Sequence, residues 1–494
     1  MNNFRLSVRR FACLGATMSL LGGCTVGPDF VRPAPPESDR YTREAAATNT
    51  ISVDGQSQHL VSGTVLIADW WKLFKSKSLD GVVRQAIANS PTIQSSEARL
   101  RQSQDNLLAG YGVFFPQVAA GADVRRERTA PLQQGAPASG SIFNLLTLSG
   151  TISYTLDVFG GERRAVEGLH AQADYQRYEN KAAYLTLSAN VVNTCIARAA
   201  YTAQICVTEQ LIELEIQQLR LTKMQVRAGT TPYTSVLAVR SLIAANQALL
   251  APLRQKLSQT EHLLATLEGM ETSKVTLPDI VLTDLALPSA LPVCLPSELV
   301  RQRPDILSAE AQMHVACANI GVATASMFPS FSLNATYGAV GTSMGNLSAA
   351  SGRFWSIGPS ATIPVFQGGS LWFGRKAAIA AWQQSQASYR QTVLGAFAQV
   401  ADSLKALEHD AEALQAQVET QRAANEALKL LQVNYRAGLV AYLDVLAADV
   451  QVHTATFAYL QAVAQRHQDT VGLFVALGGG WWNEKKLADE NEAP

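Results

Sequence analysis

Along residues 146–158 apolar and polar side chains alternate without a break. Leu146, Leu148, Gly150, Ile152, Tyr154, Leu156 and Val158 fall on one side; Thr147, Ser149, Thr151, Ser153, Thr155 and Asp157 fall on the other. A period of two marks a strand, here with one greasy and one wet face. The pattern returns at Phe331, Leu333, Ala335 and Tyr337 against Ser332, Asn334 and Thr336. It returns again at Trp355, Ile357, Pro359, Ala361, Ile363 and Val365 against Ser356, Gly358, Ser360 and Thr362. Elsewhere the spacing is helical. One helix is predicted over 79–115, broken by Pro91 near its beginning and stopped by Pro116. Two much longer helices are predicted over 162–227 and 371–437. At 1.5 Å per residue each is a rod of about 100 Å, which suits coiled-coil packing better than an ordinary globular core. Gly229 and Gly438 end the rods, as left-handed glycines end helices, and each is followed by a returning helix of about 35 to 40 residues. Each half therefore reads as a hairpin with its tip at that glycine.

The halves are copies. Asn89-Ser90-Pro91-Thr92-Ile93 recurs as Gln302-Arg303-Pro304-Asp305-Ile306, and Phe115-Pro116 recurs as Phe328-Pro329 at the same offset. Arg227-Ala228-Gly229 is answered by Arg436-Ala437-Gly438, and Leu267-Glu268-Gly269 by Ala476-Leu477-Gly478. A period of roughly 200 residues is a duplicated domain-sized unit and not a solenoid repeat. Both copies run helix, two strands, very long helix, glycine turn, returning helix, with Pro116 and Pro329 as the helix-to-strand breaks. Loops rich in Gly, Ser and Pro, at 131–141 and 341–352, join the strands of each pair.

The N-terminus adds a location. Arg5, Arg9 and Arg10 precede an apolar stretch that closes on Leu21-Gly22-Gly23-Cys24, the form of a secretory signal peptide too short to span a membrane. Small residues before Cys24 resemble a bacterial lipobox, which implies cleavage before Cys24 and attachment of lipid to its sulfur. Thr25 in place of Asp resembles the outer-membrane sorting pattern. The general secretory route is preferred to twin-arginine export despite Arg9-Arg10, since nothing here needs folding around a cofactor. The expected division is 1–23 signal peptide, 24–70 extended lipidated tether, 71–275 first repeat, 276–295 linker, 296–480 second repeat and 481–494 tail. Past the signal segment no run of 18 apolar residues suggests a helical span.

Forty basic residues balance forty acidic ones, so charge gives no reason to expect nucleic acid as a partner. Of the cysteines beyond Cys24, Cys195 and Cys206 lie too far apart on one helix to bridge. A Cys294–Cys317 bond is open, and buried free thiols are the expected state of all four. An enzyme is disfavoured: the seven histidines are scattered, and no His-Glu-x-x-His, Gly-x-Ser-x-Gly or phosphate loop occurs. Neither a metal nor a cofactor is expected beyond the diacylglycerol and N-acyl lipid on Cys24.

A Ser/Thr face opposite an aliphatic and aromatic face, in a lipidated exported chain, fits transmembrane barrel strands with water inside and lipid outside. Four strands cannot close such a barrel, and open edges are forbidden in hydrocarbon, so copies must pool their strands. Two copies give eight strands and three give twelve, and both counts are allowed.

Cys24-Thr25-Val26-Gly27-Pro28-Asp29-Phe30 with Arg32-Pro33, Arg303-Pro304-Asp305-Ile306, Phe328-Pro329-Ser330-Phe331, Gly358-Pro359, Pro364-Val365-Phe366-Gln367-Gly368-Gly369 and Tyr435-Arg436-Ala437-Gly438 occur in this order. On them the chain resembles the outer-membrane efflux lipoproteins, the NodT-type branch of the TolC-like channel family. The resemblance implies an α+β membrane protein: a homotrimer with a twelve-stranded β-barrel and a periplasmic tunnel of twelve long helices. It also implies docking to a periplasmic adaptor and an inner-membrane pump of the resistance-nodulation-division type, as the exit duct of a tripartite efflux system for drugs, solvents or metabolites. Leu443 and Asp444 match the family's constricting leucine and first acid of its periplasmic gate, whereas Ala447 stands where a second acid is expected. A plainer role for Asp444, as cap of the returning helix, stands beside the gate. The alternatives are a lipid-anchored periplasmic coiled-coil scaffold and a duct for type I secretion. Cys24→Ser is expected to abolish acylation, read as loss of the lipid mass from the mature chain, while assembly persists because the strands still hold the bilayer.

Overall fold

The computed structural model describes residues 25–38, 40–44, 49–53, 56–62, 66–128 and 140–483. The signal peptide, Cys24, nearly all of the loop at 131–141 and residues 484–494 of the expected tail lie outside the described residues. The chain divides into two compact units, Met1–Pro33, Leu100–Gln176 and Ala309–Tyr389 in the first, and Ala34–Arg99, Arg177–Ser308 and Arg390–Pro494 in the second.

The duplication is visible element by element. The first copy comprises α1 (Lys77–Asn89), α2 (Pro91–Gly110), β2 (Gln117–Arg128), β3 (Ile142–Leu156), α3 (Gly161–Arg227) and α4 (Tyr233–Leu267). The second comprises α5 (Pro296–Gln302), α6 (Pro304–Ala325), β5 (Ser330–Gly341), β6 (Arg353–Thr362), α7 (Ser370–Arg436) and α8 (Tyr442–Ala476). The rods α3 and α7 are 67 residues each, and the returning helices α4 and α8 are 35 each. Two short strands, β1 (His59–Ser62) and β4 (Ala290–Val293), stand outside the repeat.

Several boundaries correct the sequence reading. The helix expected over 79–115 is two helices, because Pro91 opens α2 at a first-turn position where a missing N–H costs nothing. Helix α2 ends at Gly110 and a 3-10 turn, Tyr111–Phe114, leads to Pro116. Strand β3 begins earlier than its alternation suggests and stops before Val158, and β6 stops at Thr362, before Pro364 can interrupt its ladder. Strand β2 escapes a reading by alternation, because Ala119-Ala120-Gly121-Ala122 hides the period of two behind small side chains. Helix α4 is long and apolar enough to cross a membrane by length and composition. Its Val239, Ile243, Leu250 and Leu253 instead pack with Ile205 and Ile212 of α3 and Leu446 of α8.

In the second unit the later part of the segment expected to be an extended tether, from residue 34 on, is built into the fold. Strand β1 pairs in parallel with β4, His59 opposite Ala290, and Trp70 and Phe74 are fully buried. Gln58 donates to the Pro288 carbonyl at 3.2 Å and to Thr470 Oγ1 at 3.1 Å, and accepts from Arg466 Nε at 3.2 Å. The expected linker carries β4, and the start of the expected tail is docked by Trp481 Nε1, which donates to the Gln302 carbonyl at 2.9 Å. Arg303 explains its motif. It holds Asp305 with two nitrogens, donates to the α8 carbonyl of Ala476 at 3.0 Å and reaches Gln399 of α7 at 2.7 Å.

The cysteines are free: Cys195 and Cys317 are buried, Cys294 is half-buried and Cys206 is exposed. The expectation of four buried thiols fails for Cys206 and Cys294. Burial pushes the Cys195 thiol up to about 12, so it is inert.

Asp410 on α7 faces Asp469 on α8, with the buried Arg466 acting on it more weakly. Burial first, and then the neighbouring carboxyl, push Asp410 from 3.8 to about 7. The folded protein binds more protons than the unfolded chain between those values. The stabilisation from protonated Asp410 is therefore complete at acid pH and is lost as pH rises through about 7. Asp410→Asn is expected to raise the temperature of oligomer dissociation at pH above that value and to change it little at pH 5, which thermal electrophoresis across pH would measure.

Candidate functional site

The first unit holds a four-stranded antiparallel sheet of order β2-β3-β5-β6. Its register sorts the side chains of all four strands onto the same two faces. Ile152 of β3 stands opposite Val118 of β2 and Ala335 of β5, which stands opposite Ile357 of β6. The next rows on that face join Gly150, Ala120, Tyr337 and Trp355, and then Leu148, Ala122 and Ala339, where the charged Arg353 of β6 ends the apolar run. Tyr337 is 62% and Trp355 73% exposed, so an aromatic pair projects from this face of the protomer with nothing covering it. On the other face Thr151 aligns with Thr336 and Ser356, Ser153 with Asn334, and Thr155 with Ser332 and Ser360. Ser332 and Ser360 hydrogen-bond at 2.7 Å, and the Asn334 amide donates to both, at 3.0 and 3.2 Å. Among the described residues the outer strands β2 and β6 are each paired on one side only.

Pro116 and Pro329 lie immediately before β2 and β5, at the helix-to-strand junctions. At the strand-to-helix junction, Asp157 caps α3: its carboxylate accepts from the Glu162 and Arg163 backbone N–H at 3.1 and 3.0 Å. Phe159 and Phe328, one from each repeat, stack with ring centroids 4.7 Å apart.

The residues just after Cys24 form a strap against this junction. Val26 donates its N–H to the Phe159 carbonyl at 3.1 Å. Gly160 has φ +76°, and a Cβ there would strike Thr25. Arg164, 5% exposed at its side chain, reaches Asp29 at 2.5 Å and Glu167 at 2.7 Å. Glu167 also meets His314 Nε2 at 2.8 Å, and His314 stacks on Phe30 at 4.2 Å. Arg32 pairs with Glu310 at 2.8 Å. The sequence signal was present, since Asp29, Phe30 and Arg32 stand in the lipobox-proximal motif. Their partners on α3 and α6 could be named only from three dimensions.

Both hairpin tips, in the second unit, close by the same hydrogen bonds. Gly229, at φ +74°, donates to Val226 O at 3.1 Å, and Thr230 donates to Gln225 O at 3.0 Å. Gly438, at φ +75°, donates to Tyr435 O at 2.9 Å, and Leu439 donates to Asn434 O at 2.9 Å. These are paired carbonyl closures of a helix C-terminus that need a left-handed residue. Beyond the second tip, Leu443, Asp444 and Ala447 form one exposed stripe on the first turns of α8, while Val445, Leu446 and Ala448 face inward. Asp444 accepts from the Ala441 N–H at 2.9 Å, so its carboxylate caps α8 while remaining exposed. Gln225 Nε2 donates to Tyr435 Oη at 2.9 Å, tying α3 to α7 beside the tips.

Two buried polar groups near the tips were missed by sequence reasoning. Glu215 of α3 is 2% exposed, and its Oε1 accepts from Asn246 Nδ2 of α4 at 2.8 Å. Asp449 of α8 acts on it electrostatically. One turn beyond Asp449, His453 Nε2 meets Thr208 Oγ1 of α3 at 3.1 Å, and burial holds this imidazole below its ordinary range. A Glu or Asp inside a long amphipathic helix carries no local sign that it faces inward.

The sequence profile described as outer membrane efflux protein matches residues 82–270 and 295–479, one stretch per repeat. The toluene efflux pump outer membrane protein TtgC of Pseudomonas putida is 27% identical over 485 residues, covering 97% of each chain. The pyoverdine export outer membrane protein OpmQ of the same species is 28% identical over 416 residues, 83% of this chain and 88% of that protein. Among solved structures, the outer-membrane channel OprN superposes with a TM-score of 0.82 at 27% identity, over 93% of this chain and 100% of that one. With a duplicated profile over both halves and the fold of the trimeric outer-membrane channels, the chain belongs to the outer membrane efflux protein family.

Proposed function

We propose that the protein is the passive exit duct of a tripartite efflux system, carrying cargo from a periplasmic adaptor and an inner-membrane pump of the resistance-nodulation-division type to the cell exterior. The observation that carries this reading is the sheet. Toward its helix-proximal end one face is built of hydroxyl and amide rows, the other is apolar from Leu148 to Leu156 and across to Ile357, and both outer strands, as described, are paired on one side only. Three protomers joined β6 to β2 satisfy those edges, turn the hydroxyl rows toward water and present Tyr337 and Trp355 to lipid. The long hairpins supply the periplasmic wall. A conduit needs no catalytic group, and the polar residues described above serve as caps, straps and ties, so the protein is read as a channel and not as an enzyme.

Acylated Cys24 fits this picture, since Thr25 lies against the strand-to-helix junction, where a barrel meets the inner face of its membrane. Cargo is not written in the wall. The two relatives described above carry toluene and pyoverdine in their names.

Leu443 and Asp444 are proposed as the constriction. Three copies of Asp444 place like charges around one axis, which favours cations and resists closure unless a proton or cation relieves the repulsion. Ala447, on the same exposed stripe, leaves that ring a single layer of acids.

Purified protein is expected to require detergent, to migrate as a heat-dissociable trimer and to give cation-preferring steps in planar bilayers. A water-soluble monomer without conductance would overturn the duct. Asp444→Ala is expected to raise antibiotic leakage into cells or single-channel conductance, and unchanged values in both would remove it from the gate.

A further inference from the structure

The charges of the four-stranded sheet are gathered at one end. Over residues 117–156 and 330–362, which hold its strands and the loops that join them in pairs, the charged residues are Asp123, Arg125, Arg126, Glu127, Arg128 and Arg353. Four arginines thus meet two acids in a chain that is neutral as a whole. Strand β2 leaves α2 at Gln117 and β6 leads toward α7 at Thr362, so all six charges lie away from the helices. In a channel whose helices extend into the periplasm, that end reaches the outer leaflet.

The ladder register sorts these charges by face. Arg126 and Arg128 stand opposite Asn144 and Ile142 of β3, on the face that carries Val118 and Ile152. Arg353 stands opposite Ala339, which stands opposite Leu148, so it shares that face. Asp123, Arg125 and Glu127 alternate onto the other face, where Arg125 pairs with Asp123 at 2.6 Å. The apolar face therefore carries three arginines and no acid. All three are exposed, and none has an ion pair or side-chain hydrogen bond among the described residues. One row nearer the helices than Arg353 stand Tyr337 and Trp355, the residue types that form a barrel's aromatic girdle at the headgroup boundary.

On the reading that protomers join β6 to β2, the seam brings these arginines together. The two strands meet antiparallel, because β2 runs away from the helices and β6 runs toward them. With Thr362 beside the partner subunit's Gln117, Arg353 falls opposite the partner subunit's Arg126. A shift of two residues, the smallest that keeps like faces together, sets it opposite Arg128 or Val124 of the partner subunit and still one row from Arg126. Opposed side chains lie about 5 Å apart at Cβ, where like charges repel. An anion between the guanidiniums reverses that repulsion, and a phosphate can take two parallel N–H bonds from one arginine fork. We propose that Arg353, with the partner subunit's Arg126 and Arg128, binds the phosphate groups of the glycolipid that fills the outer leaflet. The acyl chains of that lipid then lie along the apolar rows of Ile357 and Val118 on the same face, which a free phosphate ion would leave unused.

Binding of diphosphoryl lipid A to the detergent-solubilised trimer tests the site, read by native mass spectrometry and by the temperature of trimer dissociation on electrophoresis. The wild type is expected to bind the lipid saturably and to dissociate at a higher temperature in its presence. The same lipid stripped of its phosphates is expected to bind about tenfold less tightly or worse, as is fitting for lost charge-assisted bonds. Arg353→Gln and Arg126→Gln are each expected to weaken lipid A by about tenfold while the trimer persists. Arg125→Gln, on the opposite face, is expected to leave its affinity unchanged. Equal binding of the two lipids, or full affinity in both Arg353→Gln and Arg126→Gln, overturns the site. So does an equal rise in dissociation temperature with inorganic phosphate alone, because the arginines would then hold a free anion and not a lipid. A wild type that forms no trimer would remove the β6–β2 seam and the site with it, whereas a trimer indifferent to lipid A removes the site and leaves the duct standing.

Discussion

Backbone N–H and C=O groups cannot be left unpaired in hydrocarbon, and among the described residues this sheet has two strands paired on one side only. The rest of the molecule answers to that condition. Copies must join edge to edge, and the sheet must therefore curve around its hydroxyl face, because Leu148, Ile152, Tyr337, Trp355 and Ile357 all belong to the face that lipid accepts. A slip of one residue in any of the three ladders would exchange the faces of a whole strand. The unbroken Thr151–Thr336–Ser356 and Thr155–Ser332–Ser360 rows show that none has slipped.

The strand ends are finished as carefully as the strands. Asp157 caps α3 through two backbone N–H groups, an arrangement worth about 1 kcal/mol at an ordinary helix start. The Phe159–Phe328 stack joins the two repeats at the same junction, and the strap from Thr25 to Arg32 is threaded over it through Arg164, Glu167 and His314. Residues 25–32 are thereby committed to one place in the first unit.

Duplication supplied the scaffold, and divergence supplied the differences that matter. Gly229 and Gly438 make the same C-terminal closure, yet α4 begins after Pro232 with no side-chain cap, whereas α8 begins with the Asp444 carboxylate on the Ala441 N–H. Ser90 in the first copy stands where Arg303 in the second gathers Asp305, Gln399 and the end of α8. In the second repeat these positions carry charge, at its root in Arg303 and Asp305 and at its tip in Asp444.

Periodicity and punctuation were legible in the chain alone. The alternation at Leu146 to Leu156 announced a two-faced strand, Gly229 and Gly438 announced the hairpin tips, and the doubled Pro-x-Ile and Phe-Pro elements announced the repeat. Each of these is a local matter of side-chain spacing and backbone conformation. Strand β2 stayed hidden because a run of Ala and Gly has no faces to compare, and the helix over 79–115 was read as one because Pro91 permits either a kink or a fresh start. Folding alone decided which distant groups meet: Asp29 with Arg164, Gln58 with Arg466, Glu215 with Asn246. Those partners lie on different segments of the chain, and a polar residue's spacing within its own helix says nothing about what the neighbouring helix will place against it.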